Sequence, residues 1–374
     1  MISPAASSGS GRARSLTRTT RRDPGQAPPV RLEEVELEDV RQELSALAFD
    51  TRNIFATWEW MSTWWRHLGT GHRSLLTVCR SADDQVIGIL PFYLWSSRPL
   101  RILRFMGHSA GDHLGPIHLA QYEDTMAHAT RQTLERLRWD IFLGEQLPAL
   151  GQWSSLLGAK VLVREGNPVL RAPADGWDGF LASRSPNFRQ QVGRRERRLA
   201  REHQLAFRLV ETADDLPAAL DTLFLLHALR WPEGSTFQTR AEFHREFAAV
   251  ALARGWLRLW FLELDGQPVA AWYGLRFAGV ESYYQAGRDP AWEHRSVGFV
   301  LLAHSIRQAF EDGMDEYRFL RGGEAYKSRF AEEDSGLETI ALTRGPIASL
   351  ALSTARRTYP VVKERIGQLR WKLM

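Results

Sequence analysis

The sequence predicts an α/β chain with mixed (α+β) sheets, built as two similar lobes joined by an arginine-rich helix. Three observations carry this. The order β-α-α-β-β-β-α-β-α-β can be read over 203–344 and again, less sharply, over 31–171. Between the copies, Phe188–Glu202 shows a thin apolar stripe of Phe188, Val192 and Leu199 and is otherwise mostly arginine. A length of 374 residues also suits about two domains better than one.

The second copy parses cleanly. Gln204–Glu211 alternates as a strand, and Asp214–Arg230 places Leu216, Leu220, Leu223, Phe224 and His227 on one helical face. Thr239–Arg254 is a helix closed by Gly255. Trp256–Leu264 and Gln267–Phe277 form a hairpin about Asp265 and Gly266, followed by a strand at Val280–Ala286. Val297–Asp312 is a helix closed by Gly313. Glu316–Leu320 is a strand, Glu324–Ala331 a short helix and Leu337–Leu342 a final strand.

In the first copy, Leu32–Val35 precedes helices at 37–48 and 57–67. Strands at 73–80, 85–95 and 101–106 follow, then a helix at 121–137 and a strand at 140–143. A helix near 145–156 and a strand or hairpin at 160–171 complete it. Ser185 and Pro186 open the joining helix as cap and first-turn proline. The predicted division is a basic tail at 1–30, lobes at 31–184 and 204–344, a linker helix at 185–203 and a basic terminal helix at 345–374.

Charge is concentrated. Residues 1–30 hold five arginines and one acid, which equals the whole net charge of +4. Residues 189–201 carry +5 and 344–374 carry +6, so the remainder is acidic. The tail lacks the apolar residues needed to offset chain entropy and is expected to be disordered. The single cysteine, Cys79, excludes an intrachain disulfide and a multi-cysteine metal site. No apolar run approaches the roughly 20 residues of a spanning helix. A cytoplasmic location is expected, with the basic C-terminal segment a candidate for resting on the inner-membrane surface.

The densest chemistry lies in Tyr317–Lys327, where a strand meets a glycine turn and Arg321, Glu324, Tyr326 and Lys327 follow within seven residues. Open α/β sheets place ligands at such corners. Asp112 and His113, flanked by glycines, form a second candidate, either as a base pair or as a plain turn. Metal binding is not expected, because no second ligand cluster has suitable spacing. Trp58, Trp60, Trp64 and Trp65 crowd one helix as core packing, with Trp60 the candidate for lining a substrate cleft. The arginine helix lacks interleaved aromatics, which argues against nucleic acid.

The element order resembles the GNAT N-acetyltransferases, in the doubled form of the FemAB-like branch, and more closely the CelD/BcsL-like acetyltransferases of cellulose and exopolysaccharide biosynthesis. Four segments carry the likeness. They are Trp58–Trp60 with Trp64–His67, Pro186–Arg189, Tyr284–Pro290 with Gly298, and Tyr317–Lys327. The likeness covers roughly residues 45–345. That family reads Arg-Gly-Asp-Glu-x-Tyr-Lys at the last segment, where this chain has Gly323 in place of the aspartate.

The resemblance implies an acyl-CoA co-substrate, bound in the second lobe only. Gln285 and Gly287 would lie beside the thioester. Arg295, Ser296, Val297 and Gly298 would receive the pyrophosphate at a helix start. Val300 departs from the usual small residue there. Tyr326 is then the acid for the departing thiolate, and Glu324 the base or amine anchor, helped by Asp112 and His113. Arg321 and Lys327 would hold the acceptor, a small-molecule or sugar amine entering between the lobes. The expected activity is direct N-acyl transfer with no covalent intermediate, in association with polysaccharide-synthesis machinery at the membrane. Two rivals remain: a FemAB-like transferase using aminoacyl-tRNA, and a degenerate scaffold, which Gly323 and Val300 favour.

Overall fold

The computed structural model describes residues 30–97, 99–331 and 333–354. The expected tail, apart from Val30, and the terminal segment beyond residue 354 lie outside the described residues. In chain order the elements are β1 (Arg31–Glu34), α1 (Arg41–Asp50), α2 (Trp58–Leu68), β2 (Arg73–Arg80), β3 (Val86–Ser97), β4 (Leu100–Phe105) and β5 (Ile117–His118). Next come α3 (Glu123–Arg136), β6 (Ile141–Pro148), α4 (Trp153–Leu157), β7 (Lys160–Glu165), β8 (Pro168–Arg171), α5 (Gly176–Ser183) and α6 (Pro186–Glu202). The second half holds β9 (Leu205–Leu209), α7 (Leu216–Arg230), α8 (Ala241–Ala253), β10 (Leu257–Leu264), β11 (Gln267–Phe277), β12 (Val280–Arg288), α9 (Val297–Glu311), β13 (Glu316–Arg318), β14 (Glu333–Asp334) and β15 (Leu337–Thr343). A further helix occupies 345–354.

The doubled order is present in space. Each half has one parallel strand pair across a helix: β4 with β6 across α3, and β12 with β13 across α9. Local signals set these elements. Thr57 caps α2 through Trp60 N–H, and Ser185 caps α6 through Phe188 N–H at 3.2 Å. Asp265 and Gly266 both adopt positive φ, the turn that matches the twist of the β10–β11 hairpin.

The partners of two strands differ from expectation. The span 160–171 is two strands in different sheets. β7 edges the first sheet, whereas β8 pairs with β13 of the second. The final strand β15, expected in the second lobe, inserts between β6 and β7 of the first. The first sheet runs β1-β2-β3-β4-β6-β15-β7, with β5 beside β3, and the second β14-β8-β13-β12-β11-β10-β9. Two shorter corrections follow. The chain at 145–148 extends β6 rather than starting a helix, and the short helix at 324–331 is a turn with one 3-10 segment, Lys327–Arg329. Helix α5 had no counterpart in the sequence reading.

The packing forms layers. Helices α1, α2, α7 and α8 lie between the sheets and contribute Leu44, Trp60, Trp64, Leu223, Phe243 and Phe247 to one core shared by both halves. Helix α9, with α5 and α6, covers the outer face of the second sheet, while α3 and α4 cover that of the first. Strand exchange and the shared core join the lobes into one folding unit.

Candidate functional site

The site begins where two strands part. β12 and β13 pair only from Val280–Glu316 to Ser282–Arg318. β12 continues to Arg288 with no strand partner on that side, and a bulge at Tyr284 turns its course. Helix α7 lies tightly over the far end of β12. A β-carbon at Gly287 would come 2.5 Å from the His227 backbone nitrogen. Gly287 is therefore required by helix–strand packing.

The corner after β13 supplies the polar groups. Leu320 (φ 54°) and Gly322 (φ 121°) take left-handed backbone and reverse the chain. The Lys327 ammonium is buried beneath them. It donates to the Arg321 carbonyl at 2.8 Å and the Leu320 carbonyl at 3.5 Å, and pairs with Glu324 Oε2 at 3.0 Å. An ammonium has three donors, and these contacts occupy all three. Lys327 is thus a staple of the corner and not a substrate ligand, contrary to expectation. Glu324 is half exposed. Gly323 faces open space, with nothing within 4 Å of a β-carbon built there.

Tyr326 packs, partly buried, beside Tyr283 of β12. Its ring lies 6.5 Å from that of Tyr283, and the Arg230 guanidinium acts electrostatically on Tyr326 and Tyr283. Burial and the neighbouring Tyr283 hold the Tyr326 hydroxyl well above the usual phenol range, against the pull of Arg230. It therefore keeps its proton at neutral pH. Arg230 and Tyr283 were missed in the sequence. Tyr283 is one residue of an alternating strand, and Arg230 ends α7 without a motif.

His227, also from α7, sits beside them. Its Nδ1 bonds the Ala286 carbonyl at 3.0 Å, which fixes the tautomer and leaves Nε2 to accept from Ser235 Oγ at 2.8 Å. Burial lowers its pKa to about 4. Cys79 is buried and its thiol is pushed up to about 12, which removes it as a nucleophile.

The loop 107–116 does not join this group as a catalytic pair. Its backbone is held residue by residue from the surrounding elements. Arg240 donates to the Ser109 carbonyl, Tyr284 Oη to that of Ala110 at 2.7 Å, and the Gln146 amide, once oriented to satisfy its neighbours, to that of Gly111. Asp112 Oδ2 accepts from the Arg321 backbone N–H at 3.0 Å. His113 Nε2 bonds Asn167 Oδ1 at 3.1 Å, and Asn53 donates to the His113 carbonyl. Asp112 and His113 thus clamp the lobes together, and their assignment as acid–base residues is corrected. The glycines there answer to packing: a β-carbon at Gly111 would come 3.3 Å from Trp60 Nε1. Trp60 itself is fully buried among Phe55, Phe243, Phe247 and Tyr284, out of reach of a substrate.

Beyond β12, α9 starts at Ser296 (φ 59°) with no side-chain cap. Gly298 is open, its nearest neighbour to an added β-carbon being Arg288 Cδ at 3.7 Å. Val297 is wholly buried and contributes backbone only, while Arg295 pairs with Glu202. Two guanidinium groups stand over the Phe299 ring of this first turn, Arg195 at 4.5 Å and Arg329 at 5.3 Å. Neither forms an ion pair among the described residues; Arg329 donates to Gln191. Uncapped N–H groups and unneutralised arginines suit phosphate. No group of three or more His, Cys, Asp or Glu among the described residues is placed to hold a metal, and no described helix is long and apolar enough to cross a membrane.

Burial also couples the fold to pH. His113, His227 and His304 are each lowered to about 4, with desolvation the main cause. Unfolded histidine titrates near ~6.5, so the unfolded chain binds more protons below that pH. The stability is present above ~6.5 and is lost as pH falls towards 4, at up to about 1.4 kcal/mol per pH unit for each group. Urea unfolding should therefore show a loss on the order of a few kcal/mol between pH 7 and 5. An unchanged stability would mean that these rings are solvated.

Residues 186–328 match the family model of the acetyltransferase (GNAT) domain. No curated protein gives a significant match. Among solved structures, FemX superposes with a TM-score of 0.56 at 9% identity over 84% of this chain and 97% of its own. The C-terminal domain of a putative lysylphosphatidylglycerol synthetase from Agrobacterium fabrum gives 0.53 at 12% identity, over 86% and 97%. L-PGS from Bacillus licheniformis gives 0.50 at 11%, over 89% and 96%. At these identities the likeness is one of fold, and it spans both lobes.

Proposed function

We propose that the protein is an acyl-CoA-dependent N-acyltransferase acting at the opening between β12 and β13. The observation that carries this is the path of the chain: β12, unpaired on the β13 side beyond Ser282, passes Tyr283 beside Tyr326 and leads through the turn Pro290–Arg295 to the uncapped start of α9. The residues present fit the co-substrate at both ends. Backbone N–H groups near Val297 and Gly298, with Arg195 and Arg329, would hold its phosphates. Gln285 and the neighbouring β12 backbone would lie along its thioester arm, offering hydrogen-bond donors to a carbonyl that gains negative charge. When bound, acyl-CoA supplies an activated acyl group.

This chain's own residues then position and move protons. Tyr326 holds a proton beside the β12 edge, with Tyr283 and Arg230 as its electrostatic neighbours. Glu324, half exposed above the corner, anchors an incoming ammonium and takes its proton. The inert state of Cys79 agrees with direct attack by the amine. An amino sugar as acceptor, a role in polysaccharide assembly at the inner membrane and a cytoplasmic site rest on the CelD/BcsL resemblance and extend this reading.

A second reading has one observation of its own. Arg194, Arg197 and Arg201 on α6 form no ion pair among the described residues. A polyanion such as an RNA-borne donor would suit them.

Thermal unfolding with CoA and acetyl-CoA tests the first reading. A ligand at 100 times its Kd adds about 2.7 kcal/mol of stability. A CoA-dependent rise in Tm, reduced in Arg329→Gln, is the expected result. No response to CoA or longer acyl-CoAs, together with RNA binding that falls steeply with salt, would replace it with the second.

A further inference from the structure

The first lobe has its own opening, where β4 and β6 part beyond the Arg104–Leu143 pair. Charged groups converge on it from β4, β6, a 3-10 turn of the other lobe and the corner after β13. Arg104 lies over the Trp95 ring at 5.3 Å and donates to Glu145 Oε2 at 2.7 Å and to His108 Nε2, while its own Nε is buried without a partner. Tyr93 Oη bonds His108 Nδ1 at 3.0 Å. Arg240, from the 3-10 turn Gln238–Arg240, reaches in from the other lobe, close enough to Arg104's neighbours to act on both Tyr93 and His108. Arg321 approaches from the corner and acts on Glu145 and Arg240.

The charges do not balance. Glu145 is taken by Arg104, and Asp112 by the Arg321 backbone and, at 3.8 Å, its guanidinium. Arg240 is half-buried, forms no ion pair among the described residues, and its one hydrogen bond there is to the Ser109 carbonyl. A guanidinium withdrawn from water without a counter-charge is costly, and an oxyanion would offset that cost with bidentate hydrogen bonds. Burial and the neighbouring arginines keep His108 neutral, with a pKa of about 3, so it adds a neutral ring beside the three cations.

We propose that Arg240, with Arg104 and Arg321, forms an oxyanion site in the inter-lobe cleft, which holds a phosphate or carboxylate of the acceptor. Arg321 lies five residues before Tyr326, so a molecule anchored there extends its amine towards the β12 opening. Only the assignment to an acceptor rests on the acyl-transfer reading. A chain that ignores CoA yet binds phosphate through Arg240 would refute that reading and keep this site.

The test is thermal unfolding of the full chain, titrated separately with inorganic phosphate and with acetate. Phosphate is expected to raise the Tm of the wild type, and Arg240→Gln to weaken its half-saturation at least tenfold. Arg208→Gln, which breaks an ion pair with Glu263 from the edge strand β9, should leave that response unchanged. Glu145→Gln removes a competing carboxylate and should tighten it severalfold. A response to phosphate alone marks a phosphate site, and a response to both anions marks one that also accepts carboxylates. Neither anion acting, or an equal response in the wild type and Arg240→Gln, overturns the proposal. If Arg240→Gln does not fold, an unchanged response in Glu145→Gln does so.

Discussion

Tyr326→Phe is expected to lower kcat by ~10²–10⁴-fold, the usual worth of a positioned acid or base, with KM for the acyl donor little changed. The substitution keeps the ring and its packing beside Tyr283 and deletes only the proton donor. Amide formation from a thioester releases a thiolate, which leaves more readily when a proton is delivered to it. A group that delivers a proton at neutral pH must first hold one, and the buried phenol does so. The wild type should therefore show no alkaline loss of activity from this residue below about pH 10, the ordinary phenol range. Steady-state thiol release with acetyl-CoA and an amine, followed from pH 6 to 10, is the measurement. Equal turnover in both proteins at every pH would remove Tyr326 from the chemistry.

Trp60→Ala should cost about 3–5 kcal/mol, the range for truncating a buried large aromatic. Its ring meets Phe55 of the first half at 4.9 Å, and Phe243 and Phe247 of the second at 5.1 and 4.6 Å. The loss therefore falls on the core that both halves share. Urea unfolding should remain one transition in wild type and variant, because no cut through the chain separates two independent cores. Two resolved transitions, with only one shifted, would show that the lobes fold separately. Trp60→Phe should be much milder, since the indole N–H is buried without a partner and its removal loses no hydrogen bond.

The segments with strong local signals were legible. The β10–β11 hairpin follows from Asp265 and Gly266, α6 from its Ser185 cap, and α9 from its apolar face and closing Gly313. The doubled order β-α-α-β-β-β-α-β-α-β also came from local periodicity. The corner at 317–327 was found because four polar side chains crowd a strand end. Within it, however, the sequence could not tell Lys327 from Tyr326. Both are polar residues on one turn, and only folding shows that the ammonium is consumed by Leu320, Arg321 and Glu324 while the phenol packs beside Tyr283 of β12.

Asp112 and His113 looked like a reactive pair because glycines flank them. In space, those glycines let the loop lie against Trp60, and the two side chains bind Arg321 and Asn167. Arg230, Arg240 and Arg195 carry no motif at all, and each acquires meaning from a neighbour distant in sequence.

The sequence by itself determined which segments are helices and strands, that they repeat, and where one strand end carries unusual chemistry. These are properties of periods of 2 and 3.6, caps and turns, which act over a few residues. Tertiary structure decided that β8 and β15 exchange sheets, that one core serves both lobes, and which polar groups are spent on the fold. A strand's alternation specifies which face is buried and not which strand lies beside it. A charge's role likewise depends on partners that folding alone brings within reach.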